Sequence, residues 1–439
     1  MRIAVMSDSP NLNTGYGQNT YNLVHELDMM GEEVIAMGLG IAGEPVHWKG
    51  IELWPAATPF MIQKSLQKFK PDVLLHIRDN WVFIPKYYQG PSYPLLQWGH
   101  ANKTRVFNYT PVQATPLPPE FIETLAVCAD MTFLTNQVGI DSVVENGAPK
   151  EKLGLMYNGV NAATFRTLNA SRQGTGLPDD KKIAIFVGAN MDYRKAIPLS
   201  MLGFKKYLDK FGDDAALYLH TNPFGGFDLP LFIKMLGLNK RCFLKSAEGM
   251  KLMTWDLSTE EMAIMYNMGN AFCTATASEG FNEPALEAFS CGLPVVLTDT
   301  PIHREIFSVF GERAHFVKAR QEWPTVWAFE HNVDTDDFAE QLHHAFEQGK
   351  KEINMKLFPQ YNWKRIAQKF LKDIQPTMEQ PWITWEEEQK QLEAWTKQFR
   401  DNWAAQLKMD PRAIGQAPPQ NTDATPGAVK PKEDGQDYT

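Results

Sequence analysis

The chain has 439 residues, of which 44% are hydrophobic and 22% are charged, so it is long enough to bury the cores of two or three globular domains. Its 52 acidic residues outnumber its 43 basic residues, and the net charge of −9 argues against attraction to nucleic acid or anionic membrane as a property of the whole chain. No apolar run approaches the ~18 residues that a membrane-spanning helix needs, and Asp8 follows the first apolar run too early for a signal peptide, so we expect a cytoplasmic protein.

The first part of the chain predicts an α/β domain. Short apolar runs predict strands at residues 3–6, 33–38, 72–76, 105–110 and 131–134. Between the first two strands, apolar side chains recur at helical spacing until Gly31 ends the helix, and a second helix is predicted at residues 121–127. A helix between two apolar strands is the unit of a parallel sheet that is covered on both faces. We therefore expect residues 1–168 to form a doubly wound, Rossmann-like domain.

The alternation of strands and helices starts again after the turn Asn158-Gly159 and the polar stretch 169–180, which is the predicted linker. Strands are predicted at residues 183–188, 215–220, 271–276, 293–297 and 315–317. Helices are predicted at residues 198–208, 259–268, 284–290 and 336–346. This pattern indicates a second doubly wound domain over residues 181–375. Two such domains in tandem place the carboxyl ends of their strands around a shared cleft.

Two further helices are predicted near the end of the chain, at residues 359–375 and 385–407. Residues 411–439 include five prolines and have too little apolar surface to offset the entropy that ordering would cost. We expect this last segment to be a disordered tail.

The stretch 277–296 carries the most specific chemistry. It follows a predicted strand, and its Pro284 suits the first turn of a helix that Gly292 would end. The backbone N–H groups at the start of that helix can bind an anion or sugar hydroxyls. Glu279 precedes these amides and Glu287 lies one turn inside the helix; because carboxylates repel phosphate, they suit hydroxyl groups better. The alternative is that both glutamates only cap and solvate a helix.

This stretch resembles the motif of two glutamates separated by seven residues in retaining glycosyltransferases with the GT-B fold, family 4 (group 1) in particular. In that family the first glutamate contacts the transferred sugar and the second holds the ribose of the donor, and the resemblance gives these roles to Glu279 and Glu287. Asn282 stands where the family usually has a glycine whose backbone approaches the donor sugar. The resemblance makes four residues between the glutamates donor-binding: Gly280, Phe281, Asn282 and Glu283.

Three further segments, 157–165, 186–195 and 257–267, resemble the same family in order and separation, and the first half of the chain matches more loosely. The resemblance implies a GT-B fold, in which two doubly wound domains face each other across a cleft and C-terminal helices brace them. It also implies that the second domain holds the donor, that the first domain holds the acceptor, and that residues 376–410 pack back on the first domain.

Arg194 and Lys195 are the candidate cations for the donor diphosphate, and they follow a predicted strand that ends at Gly188. Negative charge develops on the diphosphate as the glycosidic bond breaks, and fixed cations stabilise that charge in place of a metal. Without the preceding strand, a solvated basic pair would be an equal alternative. No metal and no cofactor are expected beyond the nucleotide sugar substrate. The spelling Asp-Thr-Asp at residues 334–336 is interpreted as a helix cap, and the four widely spaced cysteines as buried thiols.

Gly15 and Gly17 lie in a loop between the first strand and the first helix. A dinucleotide fingerprint does not fit, because Thr20 occupies the third glycine position and no acidic residue ends the second strand. With the donor half identified, the two glycines resemble the family's glycine loop, which closes over the phosphate and sugar of the donor.

His76 and Asp79 are candidate groups for orienting the acceptor or the sugar, since they lie at the end of a predicted strand. The family often has a histidine near the end of a later strand, but the corresponding run 108–113 has none. A structural role is the alternative for His76. Aromatic residues crowd the stretch 81–109; most are expected in the core, and the exposed ones on the acceptor side. Lys103 and Arg105 add too little charge to indicate a nucleic-acid site.

Taken together, these patterns predict a retaining glycosyltransferase that moves a sugar from a nucleoside diphosphate sugar to an acceptor hydroxyl. Two alternatives stay open: a nucleotide-sugar 2-epimerase of the same fold, and a protein that binds a sugar nucleotide without catalysis. The acceptor is expected to be a saccharide or a lipid-linked glycan, and a hydroxylated base in nucleic acid is the other candidate.

Overall fold

A computed structural model describes residues 1–407 of the chain, apart from residues 13, 40, 85–94, 192, 213, 245–256 and 325–328. The predicted tail at residues 411–439 lies outside the described residues. No described helix is long and apolar enough to cross a membrane.

The described residues of the first domain form an eight-stranded sheet with helices on both faces. Its strands are β1 (Arg2–Asp8), β2 (Glu33–Leu39), β3 (Val46–Trp48), β4 (Ile51–Pro55), β5 (Val73–Ile77), β6 (Arg105–Thr110), β7 (Met131–Leu134) and β8 (Leu153–Leu155). Its helices are α1 (Gly15–Met29), α2 (Pro59–Phe69), α3 (Leu95–Asn102), α4 (Pro119–Val127) and α5 (Gln137–Glu145). The strand order is β3-β4-β2-β1-β5-β6-β7-β8, and the pairs are parallel except β3 with β4.

The second domain has a six-stranded parallel sheet in its described residues, with the order β11-β10-β9-β12-β13-β14. Its strands are β9 (Lys182–Val187), β10 (Ala215–His220), β11 (Cys242–Leu244), β12 (Ala271–Cys273), β13 (Val295–Thr298) and β14 (Ala314–Val317), followed by the separate antiparallel pair β15 (Ala319–Pro324) and β16 (Phe329–Val333). Its helices are α6 (Ile197–Phe211), α7 (Leu229–Met235), α8 (Thr259–Asn267), α9 (Glu283–Ser290), α10 (Pro301–Phe307) and α11 (Thr335–Gln348).

Both sheets are buried on both faces, which explains why their strands are continuous apolar runs. In β1, Ile3 and Val5 face one apolar layer whereas Ala4 and Met6 face the layer on the other side. This alternation fixes the register, because a shift by one residue would exchange the two layers. The carboxyl ends of the strands, and the loops that follow them, are thereby directed to one edge of each sheet.

The last two helices of the described residues, α12 (Trp363–Met378) and α13 (Trp385–Leu407), pack on the first domain. In α12, Trp363, Ile366, Phe370 and Ile374 form a helical stripe in the same apolar layer as α1 and β6. The predicted division assigned residues up to 375 to the second domain, but the packing of this stripe places α12 on the first. In α13, Arg400 forms an ion pair with Glu123 of α4, at 2.7 Å between Nη2 and Oε1.

Replacement of Phe370 by alanine should destabilise the first domain. The side chain is fully buried, and its ring lies 6.2 and 5.6 Å from the ring centres of Phe107 and Phe133. Loss of such a ring costs about 3–5 kcal/mol of unfolding free energy. Thermal and denaturant unfolding measure the change, with Phe60→Ala as the control because Phe60 is 73% exposed. Equal effects of the two substitutions would contradict the assigned packing.

Candidate active site

A cleft of about 590 Å³ lies between the two domains, at the carboxyl ends of both sheets. The first domain contributes residues that follow β1, β5 and β6, and the second contributes residues that follow β9 and β12 together with the start of α9. The predicted site residues that line this cleft are Gly15, Asp79, Gly188, Arg194, Lys195, Glu279, Gly280, Phe281, Asn282, Glu283 and Glu287. Two other predicted residues, Gly17 and His76, do not line it.

The centre of the cleft is an ion cluster around Glu279, which is only 8% exposed. Its Oε1 accepts a hydrogen bond from the Lys195 ammonium at 2.5 Å, and its Oε2 accepts one from the Arg194 guanidinium at 2.8 Å. Burial raises the pKa of Glu279, but the charges of Lys195 and then Arg194 outweigh burial and hold it at about 2. Glu279 is therefore ionised in the folded protein, and it lies within hydrogen-bond distance of both candidate cations.

The loops that carry these charges are bonded to each other through their backbones. Arg194 lies in a short 3-10 helix, Tyr193–Lys195, whose Arg194 carbonyl accepts a hydrogen bond from the Ala277 amide at 2.7 Å. The Arg194 guanidinium returns a bond to the Ser278 carbonyl at 3.0 Å. A side chain at Gly188 would come within 3.1 Å of the Phe186 ring and 3.4 Å of Lys195. The position of the two cations is thus set by backbone contacts as well as by charge.

Asn282 precedes α9 with φ of 75° and ψ of 60°, in the left-handed region that glycine and asparagine tolerate best. This conformation explains how asparagine can replace the family's usual glycine. The Asn282 Nδ2 lies 3.1 Å from Nε2 of His303, and Nδ1 of His303 lies 2.8 Å from the Thr298 carbonyl. Because a carbonyl only accepts, Nδ1 of His303 donates and its Nε2 accepts from Asn282. Sequence reasoning left His303 without a role, and no local pattern marks it.

Glu287 lies at the wall of the cleft and accepts a hydrogen bond from the Tyr266 hydroxyl at 2.9 Å. Burial, and secondly the charge of Glu283, raise the pKa of Glu287 to about 8. The two glutamates therefore differ in charge: Glu279 is ionised, whereas Glu287 keeps its proton through most of the neutral range. The difference follows from the cations, which lie beside Glu279.

Glu283, the first residue of α9, connects the two domains. Its Oε1 accepts hydrogen bonds from Nδ2 of Asn19 in α1, at 2.6 Å, and from Nδ2 of Asn158. Asn158 in turn accepts a bond from the Tyr109 hydroxyl. Burial raises the pKa of Glu283, and the charge of Glu279 raises it further.

The two predicted glycines of the first domain, Gly15 and Gly17, have different surroundings. Gly15 starts α1 at the cleft, and a side chain there would come within 3.1 Å of Oε2 of Glu283. Gly17 is buried under its own loop, where a side chain would come within 2.5 Å of the Leu12 carbonyl. Thr14 caps α1 by accepting from the Gly17 amide at 3.0 Å. Gly17 thus shapes the loop, whereas Gly15 borders the cleft.

Asp79 lies on the first-domain wall of the cleft, where its carboxylate accepts hydrogen bonds from the Tyr16 hydroxyl and from Nε2 of Gln113, the latter at 3.3 Å. Burial raises the pKa of Asp79, and Arg194 and Arg78 oppose that rise. Arg78 forms an ion pair with Asp8 at 2.6 Å. This wall therefore combines carboxylates, hydroxyls and amides.

His76 lies inside the first domain, 5% exposed, with its Nδ1 3.2 Å from Oδ1 of Asn108. Burial lowers its pKa to about 4. The candidate role in orienting acceptor or sugar does not fit this place, because the side chain is in the interior of β5 and does not reach the cleft.

Among the aromatic residues of the stretch 81–109, Tyr109 lines the cleft whereas Trp98 and Phe107 are core residues. Three others, Tyr87, Tyr88 and Tyr93, lie outside the described residues. Arg105 is buried and pairs with Asp130 at 3.0 Å, so it is not part of a basic surface.

The remaining sequence predictions concern metals and cysteines. Asp334 caps α11 by accepting from the amides of residues 336 and 337, which confirms the cap interpretation. The four cysteine thiols are free, and three of them are buried. Among the described residues, no group of three or more His, Cys, Asp or Glu side chains is arranged to hold a metal ion.

Three further contacts hold the second domain against the first. The Gly280 carbonyl accepts hydrogen bonds from the Thr135 hydroxyl at 2.8 Å and from Nδ2 of Asn136 at 2.9 Å. The Glu305 carboxylate in α10 accepts from the first two backbone amides of α5, at 2.7 and 2.8 Å. The Thr259 hydroxyl donates to Gln18 at 2.9 Å. Hydrogen bonds from Gly280, Glu305 and Thr259 therefore join the second domain to the first.

The chain was compared with known protein families, sequences and solved structures. Residues 169–356 match the family model of glycosyl transferases group 1. The matched segment includes the ion cluster and the start of α9. No curated protein sequence matches the chain.

Solved structures with the same architecture share little sequence with this chain. HepE from Anabaena in complex with UDP and glucose has a TM-score of 0.58 at 12% identity, over 85% of this chain and 99% of its own. Sucrose-phosphate synthase from Thermosynechococcus elongatus has a TM-score of 0.57 at 14% identity, over 92% and 100%. A glycosyltransferase from Rickettsia africae has a TM-score of 0.53 at 11% identity, over 91% and 99%. The fold is GT-B, as the sequence predicted.

The raised pKa of Glu287 predicts a pH-dependent stability. Its folded-state pKa of about 8 exceeds the ordinary value of 4.5, so the folded protein keeps a proton that the unfolded chain releases, and stability falls as pH rises through this window. Glu287→Gln keeps an acceptor for Tyr266 and removes the ionisation. The unfolding free energy of the variant minus that of wild type should be more positive at pH 8 than at pH 5, by on the order of 1–3 kcal/mol.

Chemical unfolding at the two pH values measures this difference. Glu260→Gln is the matched control, since Glu260 is exposed in the first turn of α8. A Glu287→Gln variant whose stability follows that of wild type in parallel over the whole range would show that Glu287 is ionised when folded.

Proposed function

We propose that the chain is a retaining, metal-independent glycosyltransferase of the family 4 type, which moves a sugar from a nucleoside diphosphate sugar to an acceptor hydroxyl. The observation that carries this proposal is the buried cluster of Glu279, Lys195 and Arg194 in the interdomain cleft. The cluster lies in the segment that matches group 1 transferases and beside the N-terminus of α9. Fixed positive charge next to a helix N-terminus is the arrangement that a diphosphate requires.

The second domain binds the donor. Lys195, Arg194 and the first amides of α9 take the diphosphate, and Glu287 takes a hydroxyl of the ribose. A protonated Glu287 suits this role, because an ionised carboxylate would repel the nearby phosphates. Several structural neighbours contain UDP or a UDP-sugar, so UDP is the first nucleotide to examine.

The reaction proceeds by transfer on one face of the sugar. The bond between the anomeric carbon and the diphosphate oxygen breaks, and Lys195 and Arg194 stabilise the charge that develops on that oxygen. The same oxygen accepts the proton of the acceptor hydroxyl, whose oxygen then bonds the anomeric carbon on the face that the diphosphate left. Both oxygens of Glu279 are held by cations, which suits a carboxylate that stabilises positive charge on the sugar without attacking it.

The first domain binds the acceptor, with Asp79 and Tyr16 orienting its hydroxyl. Arg78, which supplies positive charge to this wall within the described residues, is already paired with Asp8. A wall of carboxylates, amides and hydroxyls suits a saccharide or the glycan part of a lipid-linked acceptor better than a nucleic acid, because Asp8 balances the charge of Arg78 and the described residues of this wall offer phosphates no net positive charge.

A panel of nucleoside diphosphate sugars tests the proposal. The donor should raise Tm in thermal unfolding and should be hydrolysed slowly when no acceptor is present. Added saccharides should then accelerate release of the nucleoside diphosphate, and NMR of the product should show the anomeric configuration of the donor. Free epimerised sugar would identify the epimerase alternative, and tight donor binding with no turnover would identify a binding protein.

Lys195→Met should abolish most of the turnover. It removes the cation at 2.5 Å from Glu279 and on the path of the leaving diphosphate, so donor hydrolysis should fall by about 100-fold or more. Lys205→Met is the control, because Lys205 is a surface residue of α6 paired with Asp209. Release of nucleotide, followed by chromatography, gives both rates. Unchanged hydrolysis in Lys195→Met would rule out a diphosphate bound at this cation.

A further inference from the structure

Glu283 is a third carboxylate in the cleft, four residues after Glu279 and four residues before Glu287. It sits at the first position of α9, directly after Asn282, whose left-handed backbone is part of the predicted donor site. The proposed reaction gives roles to the first and the last of these three glutamates. It gives none to the side chain in the middle.

The side chain of Glu283 is held in one orientation by the opposite domain. Oε1 accepts from Asn19 at 2.6 Å and from Asn158, and both asparagines are buried, with exposures of 4% and 6%. Asn158 is itself fixed by the Tyr109 hydroxyl. Both amides donate to the same oxygen, Oε1. Rotation of the carboxylate would break both hydrogen bonds, so the position of the second oxygen, Oε2, is fixed as well.

The second oxygen, Oε2, faces Gly15 at the start of α1, and both residues line the cleft. It accepts no hydrogen bond from any residue in the described part of the chain, although Glu283 lines the cavity. The helix start opposite is Gly15, and a side chain there would come within 3.1 Å of Oε2. Glycine at position 15 therefore keeps the approach to this oxygen open.

The amides of Asn19 and Asn158 donate to the carboxylate of Glu283 and favour its ionised form, against burial and the charge of Glu279. In that form Oε2 accepts a hydrogen bond from a hydroxyl or an amino group, and it repels a phosphate or another carboxylate. The diphosphate is anionic, and the proposed function assigns the ribose to Glu287 and the acceptor hydroxyl to Asp79 and Tyr16, so the group left for Oε2 is on the transferred sugar. This step rests on the proposed function, in which the cleft takes a nucleoside diphosphate sugar.

We propose that Glu283 determines donor specificity: its Oε2 accepts a hydrogen bond from a hydroxyl or amino group of the transferred sugar. The site consequently takes neutral sugars and amino sugars and rejects uronic acids.

The test compares two donors that differ by one carboxylate, UDP-glucose and UDP-glucuronate, with UDP alone as the reference without a sugar. GDP-mannose, GDP-mannuronate and GDP are the equivalent set where guanine is the base bound. Calorimetric titration of the full chain gives the three dissociation constants. Wild type should bind the neutral sugar nucleotide about tenfold or more tightly than the uronate, a difference of about 1.4 kcal/mol.

Glu283→Gln keeps a carbonyl oxygen for Asn19 and Asn158 and replaces Oε2 by an amide donor. The ratio of the two affinities should fall to near one in this variant, whereas Glu260→Gln should leave it at the wild-type value. A purely structural role for Glu283 would change binding of UDP and of both sugar nucleotides by the same factor. Such a uniform change, an unchanged ratio, or a wild type that prefers the uronate would each overturn the proposal.

Gly15→Ala is the second variant, because it leaves the charge of Glu283 in place and adds a methyl group at 3.1 Å from Oε2. It should lower the same ratio by crowding that oxygen, and a ratio equal to that of wild type would contradict the assigned approach. Failure of the two proposals is distinguishable. Binding of a nucleoside diphosphate without discrimination between its neutral and uronate sugars defeats only the role of Glu283, whereas binding of no member of the nucleoside diphosphate sugar panel defeats the proposed function and this inference with it.

Discussion

The arrangement of the cleft depends on one buried carboxylate, Glu279, that is held by two cations. A carboxylate removed from water is costly unless charge and hydrogen bonds compensate it, and here Lys195 and Arg194 each supply both. This compensation also positions the backbone, because the loop with the cations and the loop with Glu279 are joined by hydrogen bonds to backbone groups. The two loops are thus held together, with the positive charge of Lys195 and Arg194 near the start of α9.

The sequence predicted most of the buried strands because a strand covered on both faces is a continuous apolar run. The bounds of β6, β7 and β10 agree with the predicted runs. The short pairs β3–β4 and β15–β16 were missed, since a strand of three residues or a polar hairpin has no such run. The predicted strand 271–276 ends at Cys273, because the Ala275 amide bonds the Ser200 hydroxyl and leaves the ladder. No local pattern announces that partner.

The same limit applies to the site. Glu279, Glu287, Arg194 and Lys195 belong to local motifs, so the resemblance that these motifs carry could propose them as site residues. The partners of α9 could not, because His303, Asn158 and Asn19 reach it from distant parts of the chain. His76 is different: the strand end was recognised, but the histidine lies one residue before the end of β5 and is buried, whereas Ile77, Arg78 and Asp79 line the cleft.

The hydrogen bonds between the Gly280 carbonyl and the pair Thr135 and Asn136 have a thermodynamic consequence. This carbonyl belongs to the loop before α9 in the second domain, whereas its partners belong to the first domain. A shift of the loop must change the free energy of these bonds, and a shift of the partners must do the same. The positions of the two groups are therefore energetically linked through these bonds, and the linkage is reciprocal.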